Sequence, residues 1–338
     1  MNTRTVALVG ATGAVGVELI KSLEARRFPL AKLDLFASPR SSGKRLAYAG
    51  CMLEVHALTP ETDLSGYDFV FFTANATVSL EYAQRAAEQG ACVIDNSSAF
   101  RRVAGVPLVV PEVNGDLLSA RPKLIANPNC STIIAALPLK AIDSVNPIQR
   151  VIVSTYQAAS GAGAAGMAEL RQSTLAELAG ERHEPKVFAH PYAFNLFSHN
   201  TRIDPHTGYN EEELKIVHEM RKIFDRPELA ISATCVRVPV MRAHCESITV
   251  ECRRKVDLKA LWQALRTFPG VRVVHDPDAN HFPMPVEASG QDSILVGRLR
   301  LDLSDPTQRS VSLFVAGDQL LKGAALNAIQ IAERVLAH

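Results

Sequence analysis

Residues 6–16 read Val-Ala-Leu-Val-Gly-Ala-Thr-Gly-Ala-Val-Gly, an apolar run that ends abruptly in glycines at 10, 13 and 16. Directly after it, Val15, Leu19, Ile20 and Leu23 recur at the spacing of one helix face, and a second apolar run follows at 33–36. Strand, tight turn, helix and strand are the parts of a parallel βαβ unit. The glycine turn has a chemical use in that position. With no Cβ in the way, a pyrophosphate can approach the backbone N–H groups and the positive end of the helix dipole. Gly10, Gly13 and Gly16 are the close-approach positions, Thr12 can donate from its side chain, and Ala14 and Val15 carry the loop into the helix.

The tip of the second strand decides which dinucleotide fits. NAD sites usually place Asp or Glu there; here residues 36–44 read Phe-Ala-Ser-Pro-Arg-Ser-Ser-Gly-Lys. Arg40, Ser41 and Lys44 in place of a carboxylate suit a phosphate dianion, so NADP is the expected cofactor. The competing carboxylate is Asp34, which reaches a ribose if the strand ends earlier. Arg40 and Lys44 also admit the plainer reading of solvated loop charges.

Further short apolar runs at 69–73, 92–94, 108–110 and 124–126 extend the same alternation, giving an α/β first domain on a parallel sheet. After residue 130 the runs lengthen (151–156, 232–240, 247–252, 293–303 and 310–316) with fewer helical stretches between them. That is the pattern of an α+β domain with an antiparallel or mixed sheet. From 319 onward Leu321, Ala325, Ala328, Ile329, Ala332 and Val335 repeat at helical spacing, predicting a long C-terminal helix. A length of 338 residues likewise suits two domains at about 150 each.

Composition removes several classes of function. With 47% apolar and 21% charged residues the chain is neither disordered nor fibrous. Lys and Arg number 36 against 35 Asp and Glu, too even a balance for a nucleic-acid partner held through its phosphates. No apolar stretch reaches the roughly 18 residues of a membrane span, and the opening run is too short for a secretion signal, so the expectation is a cytoplasmic protein without a membrane partner. The six cysteines form no C-x-x-C pair, against both a disulfide framework and a zinc ribbon; no metal is expected, and most of the thiols read as buried and inert.

Cys130 stands apart. Residues 127–132, Asn-Pro-Asn-Cys-Ser-Thr, precede the apolar run 133–139, which puts Cys130 at or just before a helix N-terminus, where a thiolate is stabilised. A helix start that merely contains a cysteine is the alternative, since Asn129 and Ser131 are good N-caps. A cysteine nucleophile needs a proton partner, and ten histidines are available. Spacing does not choose among them; what raises His244 is its setting in a strand-like stretch that also delivers Arg237 and Arg242.

The set GATGAVG (10–16), SSAFR (97–101), NPNCST (127–132), TYQAASGAG (155–163), EEELK (211–215) and CVRVPVMRAH (235–244) resembles aspartate-β-semialdehyde dehydrogenase, in order and along essentially the whole chain. The resemblance implies a Rossmann-type NADP-binding domain, residues 1–130, with the C-terminal helix 319–338 packing back on it. Residues 131–318 would then form an α+β catalytic and dimerisation domain with a mixed sheet, and the protein a homodimer. It further implies reversible, NADP-dependent reduction of L-4-aspartyl phosphate to L-aspartate 4-semialdehyde and phosphate, on the way to lysine, diaminopimelate, methionine and threonine. Carried over by motif, the nucleophile falls on Cys130, the acid/base catalyst on His244 and the acyl-orienting glutamine on Gln157. Glu212 and Arg237 would meet the substrate amino group and carboxylate. Arg101, Asn129 and Lys215 match phosphate-binding positions, and Ser160, Gly161 and Gly163 the nicotinamide pocket. Gln319 stands where the family pattern has an asparagine that contacts the nicotinamide amide. Glu212 is chosen among three consecutive glutamates by its spacing to Lys215; the alternative is an acidic first helical turn. N-acetyl-glutamyl-phosphate reductase shares the chemistry with a different cysteine context, and glyceraldehyde-3-phosphate dehydrogenase typically shows an acidic residue after the second strand. A non-catalytic relative that keeps only the fold is the remaining alternative.

Overall fold

The computed structural model describes residues 3–337. The chain divides into two compact units: residues up to Asn129 with those from Ala324 onward, and Cys130–Gly323. Residues 319–323, expected with the first domain, thus belong to the second unit.

The first unit runs β1 (Arg4–Val9), α1 (Ala14–Ala25), β2 (Leu30–Ala37), β3 (Arg45–Tyr48), β4 (Cys51–Ala57), β5 (Phe69–Phe72), α2 (Ala76–Glu88), β6 (Cys92–Asp95), α3 (Pro111–Asn114) and β7 (Leu124–Ala126). These strands form one sheet in the order β3-β4-β2-β1-β5-β6-β7, parallel throughout except for the β3–β4 pair. The central strands read as unbroken apolar runs because both faces are covered: all four residues of β5 are buried. Leu19, Ile20 and Leu23 of α1 pack with Val6, Leu8 and Leu35 of the sheet. Ala328, Ile329, Ile331 and Ala332, from a C-terminal helix spanning Leu326–Ala337, join the same core. Each Val, Leu or Ile side chain so withdrawn from water contributes about 1.5–3 kcal/mol.

Two expectations need correction. The run 108–110 makes a single bridge, Leu108 to Ala126, and no strand. Pro107 and Pro111 flank it and have no N–H to extend a ladder, and Val110 N–H turns to Asn114 Oδ1 to begin α3. The C-terminal helix does not run unbroken from 319. Asp318 captures the N–H groups of Leu320 and Leu321, and Gly323 N–H bonds back to Asp318 O, five residues away. Leu321–Ala325 form a π-type turn, and the α-helix starts at Leu326. His338 lies outside the described residues.

The second unit continues with α4 (Cys130–Val145), β8 (Ile148–Gln157), α5 (Gly163–Leu178), β9 (Phe197–Ser198), α6 (Glu211–Ile223), β10 (Ala230–Arg237), β11 (His244–Cys252), α7 (Leu258–Thr267), β12 (Val271–Val273), α8 (Pro285–Ala288), β13 (Ile294–Leu301) and β14 (Ser310–Gly317). Its sheet, ordered β12-β13-β14-β11-β8-β10-β9, is mixed: β8 runs parallel to β10 and antiparallel to β11. On β8, Val151, Val153, Thr155 and Gln157 are buried, while Ile152 and Tyr156 alternate with them and stay 40% and 37% exposed. One sheet face therefore forms a core and the other presents apolar side chains. Among the described residues no helix is long and apolar enough to cross a membrane.

Candidate functional site

The strand register of the second unit brings distant motifs to one edge. Parallel pairing sets Gln157, the last residue of β8, beside Arg237, the last of β10. Antiparallel pairing of Cys245 with Tyr156 places His244, the first residue of β11, at the same level. Gln157, Arg237 and His244 are all at least 97% buried.

Cys130 opens α4 and is only partly buried. The aligned peptide dipoles of a helix favour negative charge at that position. Cys92, Cys235, Cys245 and Cys252 are buried, and burial pushes the thiols of Cys92 and Cys245 up to about 12 and that of Cys252 to about 11. They stay protonated and inert at neutral pH, as expected of most of the cysteines; Cys51 is exposed.

A polar chain starts at the next residue. Gln157 Nε2 donates to Ser131 Oγ (2.6 Å) and to Glu212 Oε1 (3.0 Å), and Lys215 Nζ donates to Glu212 Oε2 (3.0 Å). Gln157 Oε1 is buried with no hydrogen-bond partner among the described residues, an acceptor open to a ligand. The three glutamates of α6 have separate roles. Glu211 is exposed to solvent in part and pairs with Arg202, and Glu213 closes a capping box with Asn210 and accepts from Cys235 N–H. Glu212 alone points into the cluster, held one turn from Lys215 by the helix.

Arg237 is held by Nη1 on Ala158 O (2.8 Å) and by Nη2 on His199 Nε2 (2.7 Å), while its Nε is buried without a partner among the described residues. A guanidinium only donates, so His199 Nε2 must accept. Burial lowers the His199 pKa to about 4, with Arg237 and Lys215 pushing the same way and Glu212 opposing. His244 is likewise neutral: burial first, then Arg237, brings its pKa to about 3. Its Nδ1 accepts Ala158 N–H at 3.0 Å, so the ring proton sits on Nε2. Gly161 lies beside that nitrogen; a Cβ there would stand 3.0 Å from Arg237 Nη1 and 3.3 Å from His244 Nε2. Gly163 begins α5 at a φ of +71°, and Ser160 is buried. Gln319 is buried with Oε1 on Ala243 N–H (2.9 Å) and Nε2 on Ser160 Oγ.

In the first unit the glycine loop has the geometry of a phosphate cradle. Gly10 has a φ of +90°, and a Cβ on Gly16 would meet Gly10 O at 2.4 Å, so neither position admits a side chain. Gly13 caps α1 with no side chain over the helix end, leaving the first-turn N–H groups around Ala14 and Val15 for an anion. Thr12 Oγ1 donates to Ser41 Oγ (3.3 Å), which joins this loop to the tip of β2, where Arg40 is exposed. Asp34 is engaged elsewhere, accepting from Tyr67 Oη (2.5 Å) and pairing with Lys32 (2.7 Å). Arg101 is buried, its Nε and Nη2 on the carbonyls of Asn127 and Asn96; it braces the loop that leads through the buried Asn129 to Cys130.

Sequence reasoning missed Ser131, His199 and the Ala158 N–H. Nothing separates His199 from the other histidines in one dimension, and a backbone donor leaves no trace in a motif. Ser131 had a signal, its place next to the candidate nucleophile, that was read only as a helix cap.

Comparison with known proteins is consistent along the chain. Residues 5–120 match the family model described as semialdehyde dehydrogenase, NAD binding domain, and residues 139–322 that described as semialdehyde dehydrogenase, dimerisation domain. An aspartate-semialdehyde dehydrogenase of Synechocystis is 46% identical over 328 residues, 97% of this chain and 96% of its own. That of Bacillus subtilis is 41% identical over 97% of this chain and 96% of its own. The crystal structure of Vibrio cholerae aspartate semialdehyde dehydrogenase II complexed with ASA is 40% identical with a TM-score of 0.95, covering 100% of this chain and 99% of that one.

Proposed function

This chain belongs to the aspartate-semialdehyde dehydrogenase family, and we propose that it interconverts L-4-aspartyl phosphate and L-aspartate 4-semialdehyde with NADP as the redox partner. The observation that carries the reading is the hydrogen-bonded chain Ser131–Gln157–Glu212–Lys215, assembled with Arg237 and His244 in the unit whose first residue is Cys130.

The uncapped helix end and the glycine cradle fit a dinucleotide pyrophosphate, and Thr12, Ser41 and Arg40 fit a 2′-phosphate better than Asp34, which is already paired, fits a ribose diol. Gly10, Gly13, Ala14 and Val15 would hold the pyrophosphate through their backbone, with Ser160, Gly161 and Gly163 toward the nicotinamide. When bound, NADPH supplies the hydride that reduces an acyl group to an aldehyde.

Cys130 attacks the acyl phosphate; an S–C bond forms, the C–O bond to phosphate breaks, and a thioester remains on the protein. Arg101, Asn129 and Lys215 hold the departing phosphate, whose charge needs cations close by. Glu212 takes the substrate ammonium and Arg237 its carboxylate. Gln157 orients the acyl group through the open Oε1. His244 presents Nε2–H to the carbonyl oxygen as negative charge develops there, and holds that proton as the hemithioacetal collapses to aldehyde and thiolate. Two copies of the chain would pair through the second unit, whose exposed Ile152 and Tyr156 offer an apolar sheet face. The enzyme would work in the cytoplasm, supplying lysine, diaminopimelate, methionine and threonine synthesis.

The test is phosphate-dependent NADPH formation from L-aspartate 4-semialdehyde and NADP, measured beside Cys130→Ala. Turnover that is lost in the variant supports the reading. A folded, NADP-binding wild type without turnover would replace it with the non-catalytic relative.

A further inference from the structure

His199 directly follows the two-residue strand β9, and its N–H donates to Cys235 O of β10 at 2.9 Å. Its two ring nitrogens reach different parts of the site. Nε2 accepts from Arg237 Nη2 at 2.7 Å, so the proton of the neutral ring sits on Nδ1, and Nδ1 meets Thr201 Oγ1 at 3.3 Å. The same Thr201 oxygen accepts Glu212 N–H, in the first turn of α6, at 3.2 Å. One half-buried imidazole thus joins the end of β10 to the start of α6, and with them Arg237 to Glu212. The type of acceptor matters. A carboxylate in that place would satisfy the same N–H but would pair with the guanidinium charge, which a substrate carboxylate needs. Burial, with Arg237 and Lys215 acting against Glu212, keeps the ring uncharged at neutral pH, so it takes one N–H and leaves the charge. Ala158 O takes a second N–H, and Nε–H is left buried without a partner among the described residues.

We propose that His199 is a positioning residue that determines specificity: with Thr201 it forms a strap that fixes the separation of Arg237 and Glu212, so that the site selects a substrate with carboxylate and ammonium on one carbon over one with the carboxylate alone. The proposal rests on the reading of Arg237 and Glu212 as the partners of those two groups. A ligand held at one point follows Arg237 wherever it moves. A ligand held at two points gains from both only while their spacing matches its own, so loosening the strap costs the second kind of ligand and spares the first.

The experiment compares wild type with His199→Leu, which removes both ends of the strap, and with Thr201→Val, which cuts the far end and leaves the Arg237 bond in place. The probes are L-2-aminobutanoate, with both groups, and butanoate, with the carboxylate alone; each is titrated for its power to slow alkylation of Cys130 by iodoacetamide. The preference for L-2-aminobutanoate should fall about tenfold in His199→Leu, the loss of one charge-assisted hydrogen bond, and at least about threefold in Thr201→Val. Butanoate should bind within about threefold of wild type. In turnover the same loss should appear as a KM for L-aspartate 4-semialdehyde raised about tenfold, with kcat changed by less than about threefold. His199→Asn puts an amide in place of Nδ1 and nothing in place of Nε2; it should behave like the leucine variant and covers one that fails to fold. Equal weakening of the two probes would reduce His199 to a structural part and overturn the proposal, as would a Thr201→Val protein with the wild-type preference. The strap is also read directly from the imidazole 15N shifts of His199, assigned by their loss in His199→Leu: the ring should be Nδ1–H in wild type and change to Nε2–H in Arg237→Met. A wild type that discriminates between the probes with His199 as Nε2–H would sink the strap alone. A wild type that binds the two probes alike would instead remove the reading of Arg237 and Glu212, and the selectivity with it.

Discussion

Glu246 is a buried carboxyl with nothing to hold. It sits in β11 between Thr155 of β8 and Val315 of β14, has no exposed surface, and neither carboxyl oxygen has a hydrogen-bond partner among the described residues. Burial alone raises its pKa well above the usual carboxylate range. In the unfolded chain a glutamate ionises near pH 4.3. Above that pH the unfolded state has released its proton and the folded state has kept it, so unfolding becomes easier as pH rises, by about 1.4 kcal/mol per pH unit until the folded-state pKa is reached. Glu246→Gln keeps the shape and removes the proton. Between pH 5 and pH 6 the variant should therefore gain about 1.4 kcal/mol on wild type, whatever their difference at pH 5. Urea unfolding at pH 5, 6 and 7, at one protein concentration, measures the gap. Parallel stability curves for the two proteins would refute the reasoning, because they would mean that Glu246 is ionised in the fold beside a counter-charge.

Other outcomes follow from the same geometry. Gly161→Ala puts a Cβ 3.0 Å from Arg237 Nη1 and 3.2 Å from His244 Cε1; displacing either by a few tenths of an ångström should lower kcat about tenfold, with the melting temperature little changed. Arg40→Ala should weaken NADP binding by roughly tenfold while leaving NAD binding as it is, if the exposed guanidinium meets the 2′-phosphate; equal losses for both dinucleotides would count against it. Asp318→Asn removes the charge that pairs with Arg242 and accepts three backbone N–H groups, at an expected cost of about 2–3 kcal/mol in urea unfolding.

The glycine loop was legible in the sequence because its constraints are local: a Cβ at Gly16 collides with Gly10 O within the same turn. Cys130 at a helix start was legible for the same reason, from the Asn-Pro-Asn before it and the apolar run after it. The β3–β4 hairpin was not, because its strands are short and half exposed and carry no continuous apolar run. The run 108–110 looked like a strand because apolar periodicity says nothing about whether a ladder partner exists. Within the site, the choice of Glu212 from its neighbours followed from the E-x-x-K spacing. The bonds of Gln157 to Ser131 and Glu212 join residues 26 and 55 positions apart, and only the packing of α4 and α6 against the sheet brings those together. His199, the Ala158 N–H and the orphaned Glu246 depend on the fold entirely.

The first unit borrows Ala328, Ile329, Ile331 and Ala332 from a helix that the chain reaches only after the whole of the second unit. During synthesis, then, the nucleotide-binding fold begins first and is completed last. While the ribosome makes 130–323, the sheet waits with one side of its core uncovered, whereas the second unit is contiguous in sequence and borrows no later segment. Nascent chains stalled before residue 324 should therefore bind a holdase chaperone through the first unit, and protease should cut there before it cuts the second.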